Sequence, residues 1–147
     1  MKLPKPIKQE NEPDNYTGRV ISPAGVIYWK VNGRCHRDDG PAIEWANGSK
    51  EWYKDGKLHR VGAPARELTD YKKEWYIDGL KHREDGPAIE RPNASCFKDL
   101  WYLDGAHIKT EKDYYLAQYR KYQGTPLGNK MAAKLLGASE QVTHEDE

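Results

Sequence analysis

The chain has little of what usually fills a protein core. Its 147 residues include one Phe and two Met, and only two Cys. Charge of one sign is also missing, with 24 Lys plus Arg against 23 Asp plus Glu. That balance argues against a strongly basic nucleic-acid binder and against an acidic nucleic-acid mimic. No apolar run approaches the roughly 20 residues needed to span a bilayer, so no membrane partner is expected. Met1 to Asn15 carries Lys and Pro but no apolar stretch, so no secretory signal is expected there and the expected location is cytoplasmic. Cys35 and Cys96 stand outside any CxxC, which gives no zinc pattern. Two isolated thiols are the expectation, although spacing alone leaves a disulfide between them open.

What is abundant is aromatic and amphipathic: five Trp and ten Tyr. These rings favour strands. With so few Leu, Ile and Phe beside them, they can build only a thin core, as a repeat array requires.

The repeat is explicit. Trp29, Trp52 and Trp75 are 23 residues apart, and Trp101 follows after 26. A Gly lies four residues beyond each: Gly33, Gly56, Gly79 and Gly105. His36, His59 and His82 keep the period, and each is followed by Arg: Arg37, Arg60 and Arg83. Then come Pro41-Ala42, Pro64-Ala65 and Pro87-Ala88, and after them Glu44, Glu67 and Glu90. The consensus reads A-I-E-x-x-N-G-x-K-E-W-Y-x-D-G-x-x-H-R-x-D-G-P. Four units follow, at 19–41, 42–64, 65–87 and 88–109, the last with an insertion around Pro92 to Lys98. Asn47-Gly48, Asn32-Gly33, Asp55-Gly56, Asp78-Gly79 and Asp104-Gly105 all read as type I′ hairpin turns. Each unit is expected to hold two or three strands of about four residues. A 23-residue unit cannot bury its own rings, so stacking is expected to lay Trp on Trp along the array.

The wording W-Y-x-D-G-x-x-H-R-x-D-G-P-A resembles a variant of the MORN-type repeat, a short hairpin built around Tyr or Trp, Gly and a His-rich turn. The similarity covers 19–109, with Arg37, Arg60 and Arg83 where the family has Gly after His. The resemblance implies an elongated, repetitive β-sheet used for binding or scaffolding, without catalysis. Short arrays of this wording also resemble small proteins of bacteria and their phages, which would place the chain in a host cytoplasm.

The flanks differ from the repeat. Residues 1–15 are expected as a flexible arm, and 16–109 as the repeat domain. In 110–136, Thr110-Glu111-Lys112-Asp113 resembles a capping box. Tyr115, Tyr119 and Tyr122 then fall on one helical face, with an expected end near Gln123 and a second helix over 129–136. This segment is expected to cap the C-terminal end of the sheet, with a Tyr docking face as the competing idea. An acidic tail, 137–147, is expected to be disordered.

The His-Arg-acid triplets suggest an enzyme at first sight. A catalytic site, however, needs one set of groups in divergent environments, and here the same set recurs in every unit. His36, His59 and His82 are therefore expected to bond neighbouring turns, and the Arg of each triplet to pair with acids such as Asp38 or Glu84, or with the next unit. A shared metal on the His ladder is not expected, because strand spacings of about 4.8 Å far exceed metal–nitrogen distances of about 2.0–2.1 Å. No cofactor motif is present. The candidate binding residues are the Arg row (Arg37, Arg60, Arg83), the Tyr row (Tyr53, Tyr76, Tyr102) and Tyr115 and Tyr119 on the helix. Val61-Gly62-Ala63 breaks the acidic pattern and leaves Arg60 the least neutralised. Trp52 and Tyr53 should face opposite sides of a strand, so either the Trp row (Trp29, Trp52, Trp75, Trp101) or the Tyr row should lie open. The expected function is a non-catalytic protein-binding module, a modulator or inhibitor of a host protein or an assembly scaffold, with homo-oligomers also accommodated. The second reading is a nucleic-acid binder using the Arg row, the helix (Lys109, Lys112, Arg120, Lys121, Lys130 and Lys134 against Glu111 and Asp113) and open rings.

Overall fold

A computed structural model describes residues 5–93 and 98–140. Cys96 and most of the acidic tail lie outside the described residues; Cys35 is a free thiol. The fold is mainly β, a series of short hairpins closed by two C-terminal helices.

The strands are β1 Ile7–Lys8, β2 Gly18–Ile21, β3 Ile27–Val31, β4 Arg34–Cys35 and β5 Ile43–Glu44. They continue with β6 Lys50–Glu51, β7 Tyr53–Lys54, β8 Lys57–Leu58, β9 Arg66–Glu67 and β10 Lys73–Glu74. The last are β11 Tyr76–Ile77, β12 Leu80–Lys81, β13 Ile89–Glu90, β14 Trp101–Leu103 and β15 Ala106–Ile108. The helices are α1 Glu111–Lys121 and α2 Pro126–Glu140. Most strands have two residues rather than the expected four, and the cause is the tryptophan. Trp52 N–H bonds the Ala65 carbonyl, while its own carbonyl accepts from His59 N–H. The chain thereby leaves one ladder and joins another within a single residue. Trp29 and Trp75 make the same pair of bonds, to Ala42 and His36 and to Ala88 and His82.

Two arrangements result. One is a nine-stranded sheet in the order β1-β2-β3-β5-β6-β9-β10-β13, with β4 paired on β3. The other is a set of separate hairpins, β7-β8, β11-β12 and β14-β15. Ile7 and Lys8, inside the segment expected as an arm, pair in parallel with Val20 and Ile21.

The turns fall into two kinds. Asn32, Asp55, Asp78 and Asp104 have φ of 48–50°, and the Gly after each is also positive, as type I′ turns require. Asn47-Gly48 is different from expectation. Only Gly48 is left-handed; Gly48 N–H bonds Trp45 O, and Trp45 N–H bonds Ser49 O. This is a type I turn followed by a left-handed residue, the geometry of a three-residue hairpin loop. Ser22–Val26 and Leu68–Lys72 repeat it, with Tyr71 in the left-handed place of Gly25 and Gly48.

Stacking is by backbone and by small residues, not by rings. Ala42, Ala65 and Ala88 are fully buried, and the Ala65 carbonyl accepts the Trp52 N–H of the preceding unit. Arg37 N–H bonds Tyr53 O and Arg60 N–H bonds Tyr76 O, tying each unit to its successor. Among the described residues no indole stacks on another. The rings that do meet, Trp101 with Tyr114 at 4.7 Å and with Tyr115 at 5.8 Å, lie under the helices.

That C-terminal end holds the one apolar cluster of fully buried large side chains described: Tyr114, Tyr115 and Met131, flanked by Trp101, Leu103, Ile108, Tyr119, Leu127 and Leu135. Thr110 caps α1 by accepting the Asp113 N–H, as the sequence suggested. The helix ends at Lys121, and α2 starts at Pro126, three residues earlier than expected. Proline suits the first helical turn because its missing N–H would be unpaired there in any case.

Candidate functional site

The three His-Arg loops lie along one edge, and the structure assigns each group a partner. Each His Nδ1 meets the backbone N–H of the next unit's Asp: His36 meets Asp55 at 3.0 Å, His59 meets Asp78 at 3.2 Å, His82 meets Asp104 at 3.0 Å. These are the neighbouring-turn bonds expected from the repetition. The same Asp also brings its carboxylate to Nδ1, at 3.0 Å for Asp55 and 2.9 Å for Asp78 and Asp104, so the ring proton can lie on either nitrogen. In the first and third loops Nε2 faces a carboxylate, Asp38 at 3.3 Å and Glu84 at 3.7 Å.

Each Arg lies flat on the indole of its own unit. The Arg37, Arg60 and Arg83 guanidinium carbons are 4.2, 3.8 and 3.9 Å from the ring centroids of Trp29, Trp52 and Trp75. Such stacking is worth about 0.5–2 kcal/mol, depending on desolvation. The Trp row is thus covered by cations rather than by other rings. Nη1 of each Arg donates to the Pro carbonyl that ends its own unit and to a Glu of the next unit: Pro41 and Glu44, Pro64 and Glu67, Pro87 and Glu90. The carboxylate partners expected at Asp38 and Glu84 are instead Asp39, 2.8 Å from Arg37 Nε, and Asp85, 2.7 Å from Arg83 Nε. The reason is geometric: the residue directly after Arg points back to the His, and the next one reaches Nε. Arg37 holds the Asp39 carboxyl below its usual range.

The middle loop departs from this pattern at both positions. Val61 stands where Asp38 and Glu84 stand, and Gly62 where Asp39 and Asp85 stand. Arg60 keeps one carboxylate, Glu67 at 3.0 Å, against two each for Arg37 and Arg83. Its side chain is 31% exposed, compared with 22% and 18%. Sequence reading had singled out this residue for the same missing acids.

Two open grooves adjoin that loop. One, of about 640 Å³, runs between Arg37 and Arg60, with Trp52, Tyr53 and Lys54 in its lining. The other, of about 510 Å³, runs between Arg60 and Arg83, with Trp75 and Ile77 in its lining and Leu127 of α2 beside them. Arg60 and Val61 border both, and Val61 is 78% exposed.

The Tyr row is not an open face either. The Tyr53 hydroxyl donates to Glu51 at 3.1 Å and the Tyr76 hydroxyl to Glu74 at 3.3 Å. Burial, followed by the neighbouring carboxylate, raises both phenols above their usual range. Tyr102 is half-buried, with its ring 5.0 Å from that of His107. Neither row stays open because the guanidiniums cover one and the glutamates hold down the other.

Of the helical candidates, Tyr115 is buried in the apolar cluster and Tyr119 packs against it. The buried face of α1 is Tyr114, Tyr115 and Gln118, turned from the expected face because Tyr114 reaches across to the Arg83 carbonyl. Burial pushes the Tyr114 phenol up to about 12. Gln118 Nε2 donates to the Glu84 carbonyl at 3.1 Å, and the Tyr122 hydroxyl bonds the Glu84 carboxylate. The helices are therefore fastened to the third His-Arg loop.

Sequence reading missed a second feature, the charged centre of the long sheet. Tyr28, Ile43, Glu51, Arg66, Glu74 and Ile89 follow one another across the ladders, and Leu100 bridges to Ile89. Arg66 occupies the place of Ile43 and Ile89, and it bonds Glu51 at 3.1 Å and Glu74 at 2.9 Å. Both glutamates are almost fully buried. The signal was available: Arg66 interrupts the Ala-Ile-Glu wording kept at 42–44 and 88–90.

No protein-family model, curated protein or solved structure matches this chain. No helix among the described residues is long and apolar enough to cross a membrane.

Proposed function

We propose that the chain is a non-catalytic, MORN-like repeat module that binds another protein along the edge formed by loops 37–41, 60–64 and 83–87. The observation that carries this reading is the pair of grooves that meet at Arg60 and Val61. A wet, partly apolar groove with an aromatic residue and a half-satisfied Arg has the composition of a protein-interface hot spot. The recurrence of each His on a backbone N–H supports a structural rather than a catalytic role for the histidines. The resemblance to short bacterial and phage arrays adds modulation of a host protein, or scaffolding of an assembly, as the setting.

The nucleic-acid reading is weaker. Two of the three arginines already hold two carboxylates each, and the same guanidiniums lie on the indoles that would stack bases. The test is selection of a displayed random-peptide library on the parent chain and on Arg60→Ala, alongside titration with single-stranded oligonucleotides. Convergent peptides that lose binding to Arg60→Ala support the proposal. Tight oligonucleotide binding with a steep salt dependence, and no peptide enrichment, overturns it.

A further inference from the structure

We infer that the middle loop binds two successive acidic side chains of a partner polypeptide, which take the places that Asp38-Asp39 and Glu84-Asp85 fill in the flanking loops. The inference rests on the protein-binding reading above and narrows it to one site and one chemistry.

The argument is the repeat itself. In the first and third loops an acidic pair faces the His with one member and binds the Arg with the other. Its first member faces His Nε2, at 3.3 Å for Asp38 and 3.7 Å for Glu84. Its second member accepts from Arg Nε, at 2.8 Å for Asp39 and 2.7 Å for Asp85. In the middle loop the His and the Arg are kept and the acidic pair is gone. His59 Nδ1 meets the Asp78 N–H at 3.2 Å and the Asp78 carboxylate at 2.9 Å, and no carboxylate takes the place of Asp38 or Glu84 beside its Nε2. Arg60 still lies on Trp52 and is held through Nη1 by Glu67 and the Pro64 carbonyl, which leaves Nε without a carboxylate. The Arg60 donor is therefore preorganised, and a charged guanidinium N–H makes a short, strong bond to a carboxylate oxygen.

The space is present as well. Gly62 has φ of +75°, and a Cβ at this position would touch nothing within 4 Å. The groove on one side carries Lys54, which adds a positive charge. Of the acids around the site, Asp39 is engaged with Arg37, Asp85 with Arg83, and Glu84 with Tyr122 and Lys121, which reduces their repulsion of an incoming carboxylate. Asp38, which faces His36, and Asp78, on His59 Nδ1, oppose it, and Arg60 and Lys54 have to outweigh them. A pair of adjacent acids is the specific expectation, because that is the arrangement this loop geometry accommodates twice elsewhere in the chain.

The experiment follows the arginine Nε–H and histidine side-chain NMR signals of the full chain during titration with acetyl-Gly-Asp-Asp-Gly-amide. Saturable shifts of Arg60 and His59, with Arg37 and Arg83 unmoved, support the proposal. So does a loss of about tenfold or more in affinity when Val61→Asp and Gly62→Asp together supply the missing acids from within. Because Gly62 is left-handed, Gly62→Asp is expected to lower the melting temperature of the double variant, so Val61→Asp alone, with an unchanged melting temperature and a weakened affinity, is the control that keeps the fold. The proposal is overturned if acetyl-Gly-Asn-Asn-Gly-amide shifts the same signals equally, if all three arginines move together, or if acetate saturates the site at the same concentration. It is also overturned if replacing Glu145, Asp146 and Glu147 by amides moves the Arg60 signal in the unliganded chain, since the occupant would then be the chain's own terminus. If the Asp-Asp peptide fails while library-selected peptides still bind, the acidic site falls and the protein-binding reading stands.

Discussion

The repeat array and its C-terminal cap are held together by different chemistry. In the array the fully buried side chains are small, Ala42, Ala65 and Ala88, and the large rings are shared with charges, Trp with Arg and Tyr with Glu. In the cap, Tyr114, Tyr115 and Met131 pack against Trp101 and Leu127 as an ordinary apolar core. A unit that must meet a like neighbour on both sides has little depth, and large side chains hidden there, such as Glu51 and Glu74, are paired with a charge, whereas a terminal element has to hide apolar rings of its own. The difference teaches where each part is vulnerable: the cap to loss of volume, the array to loss of a charge partner.

The largest expected effect tests the cap. Tyr114→Ala removes a fully buried ring and should cost about 3–5 kcal/mol, read as a shift of the denaturant midpoint. Tyr114→Phe removes only the bond to the Arg83 carbonyl and should cost about 1 kcal/mol. Hydrogen exchange sharpens the comparison. After Tyr114→Ala, protection should fall over 101–136 and persist at the amides of β6 and β9. Equal loss in both regions would show one cooperative unit and break the distinction.

The next effect tests the array. Arg66→Ile continues the apolar wording of Ile43 and Ile89 but strands Glu51 and Glu74, both almost fully buried. The cost should be about 2–3 kcal/mol, less than for a fully buried pair because 31% of the Arg66 side chain is exposed. The triple change Glu51→Tyr, Arg66→Ile and Glu74→Leu copies residues found at equivalent places, Tyr28, Ile43 and Leu100, and should return stability to within about 1 kcal/mol of the parent. Acid separates the two proteins further. Burial alone would push the Glu74 carboxyl up, but Lys72 at 2.5 Å and Arg66 outweigh it and hold the carboxyl below its usual range. A depressed carboxyl contributes stability that is complete above its unfolded value of about 4.3 and fades as pH falls through the lower folded value. The parent should therefore lose stability on acidification below about pH 4.3 more steeply than the triple variant.

These contrasts also mark what could be read without coordinates. The period of Trp29, Trp52 and Trp75 set out the hairpin array and its register, and Thr110 marked the start of the cap, because those features rest on local turn chemistry and spacing. The same spacing placed Arg60 apart from Arg37 and Arg83. Ring partners were not legible, since whether an indole meets another indole or a guanidinium depends on how an Arg eight residues away folds back. The helical face was misread for a related reason. Tyr115 is buried as expected, but Tyr114 and Gln118 join it in the buried face because Tyr114 meets the Arg83 carbonyl, a partner the sequence does not display.

The smallest effect concerns a turn and reverses the usual sign. Tyr71 holds φ of 64°, in the place of Gly25 at 77° and Gly48 at 91°. A left-handed conformation costs a non-Gly residue about 1–2 kcal/mol, and Gly forfeits about 0.5–1 kcal/mol of that advantage through the entropy of the unfolded chain. The Tyr71 ring is 65% exposed, so little burial is lost with it. Tyr71→Gly should therefore stabilise the protein by about 0.5–1 kcal/mol, seen as a raised melting temperature. Gly48→Tyr in the preceding unit places the same residue in the same turn and should destabilise it by a similar amount. If the two substitutions shift stability in the same direction, the hairpins are not equivalent, and the energetic likeness of the units fails at its simplest point.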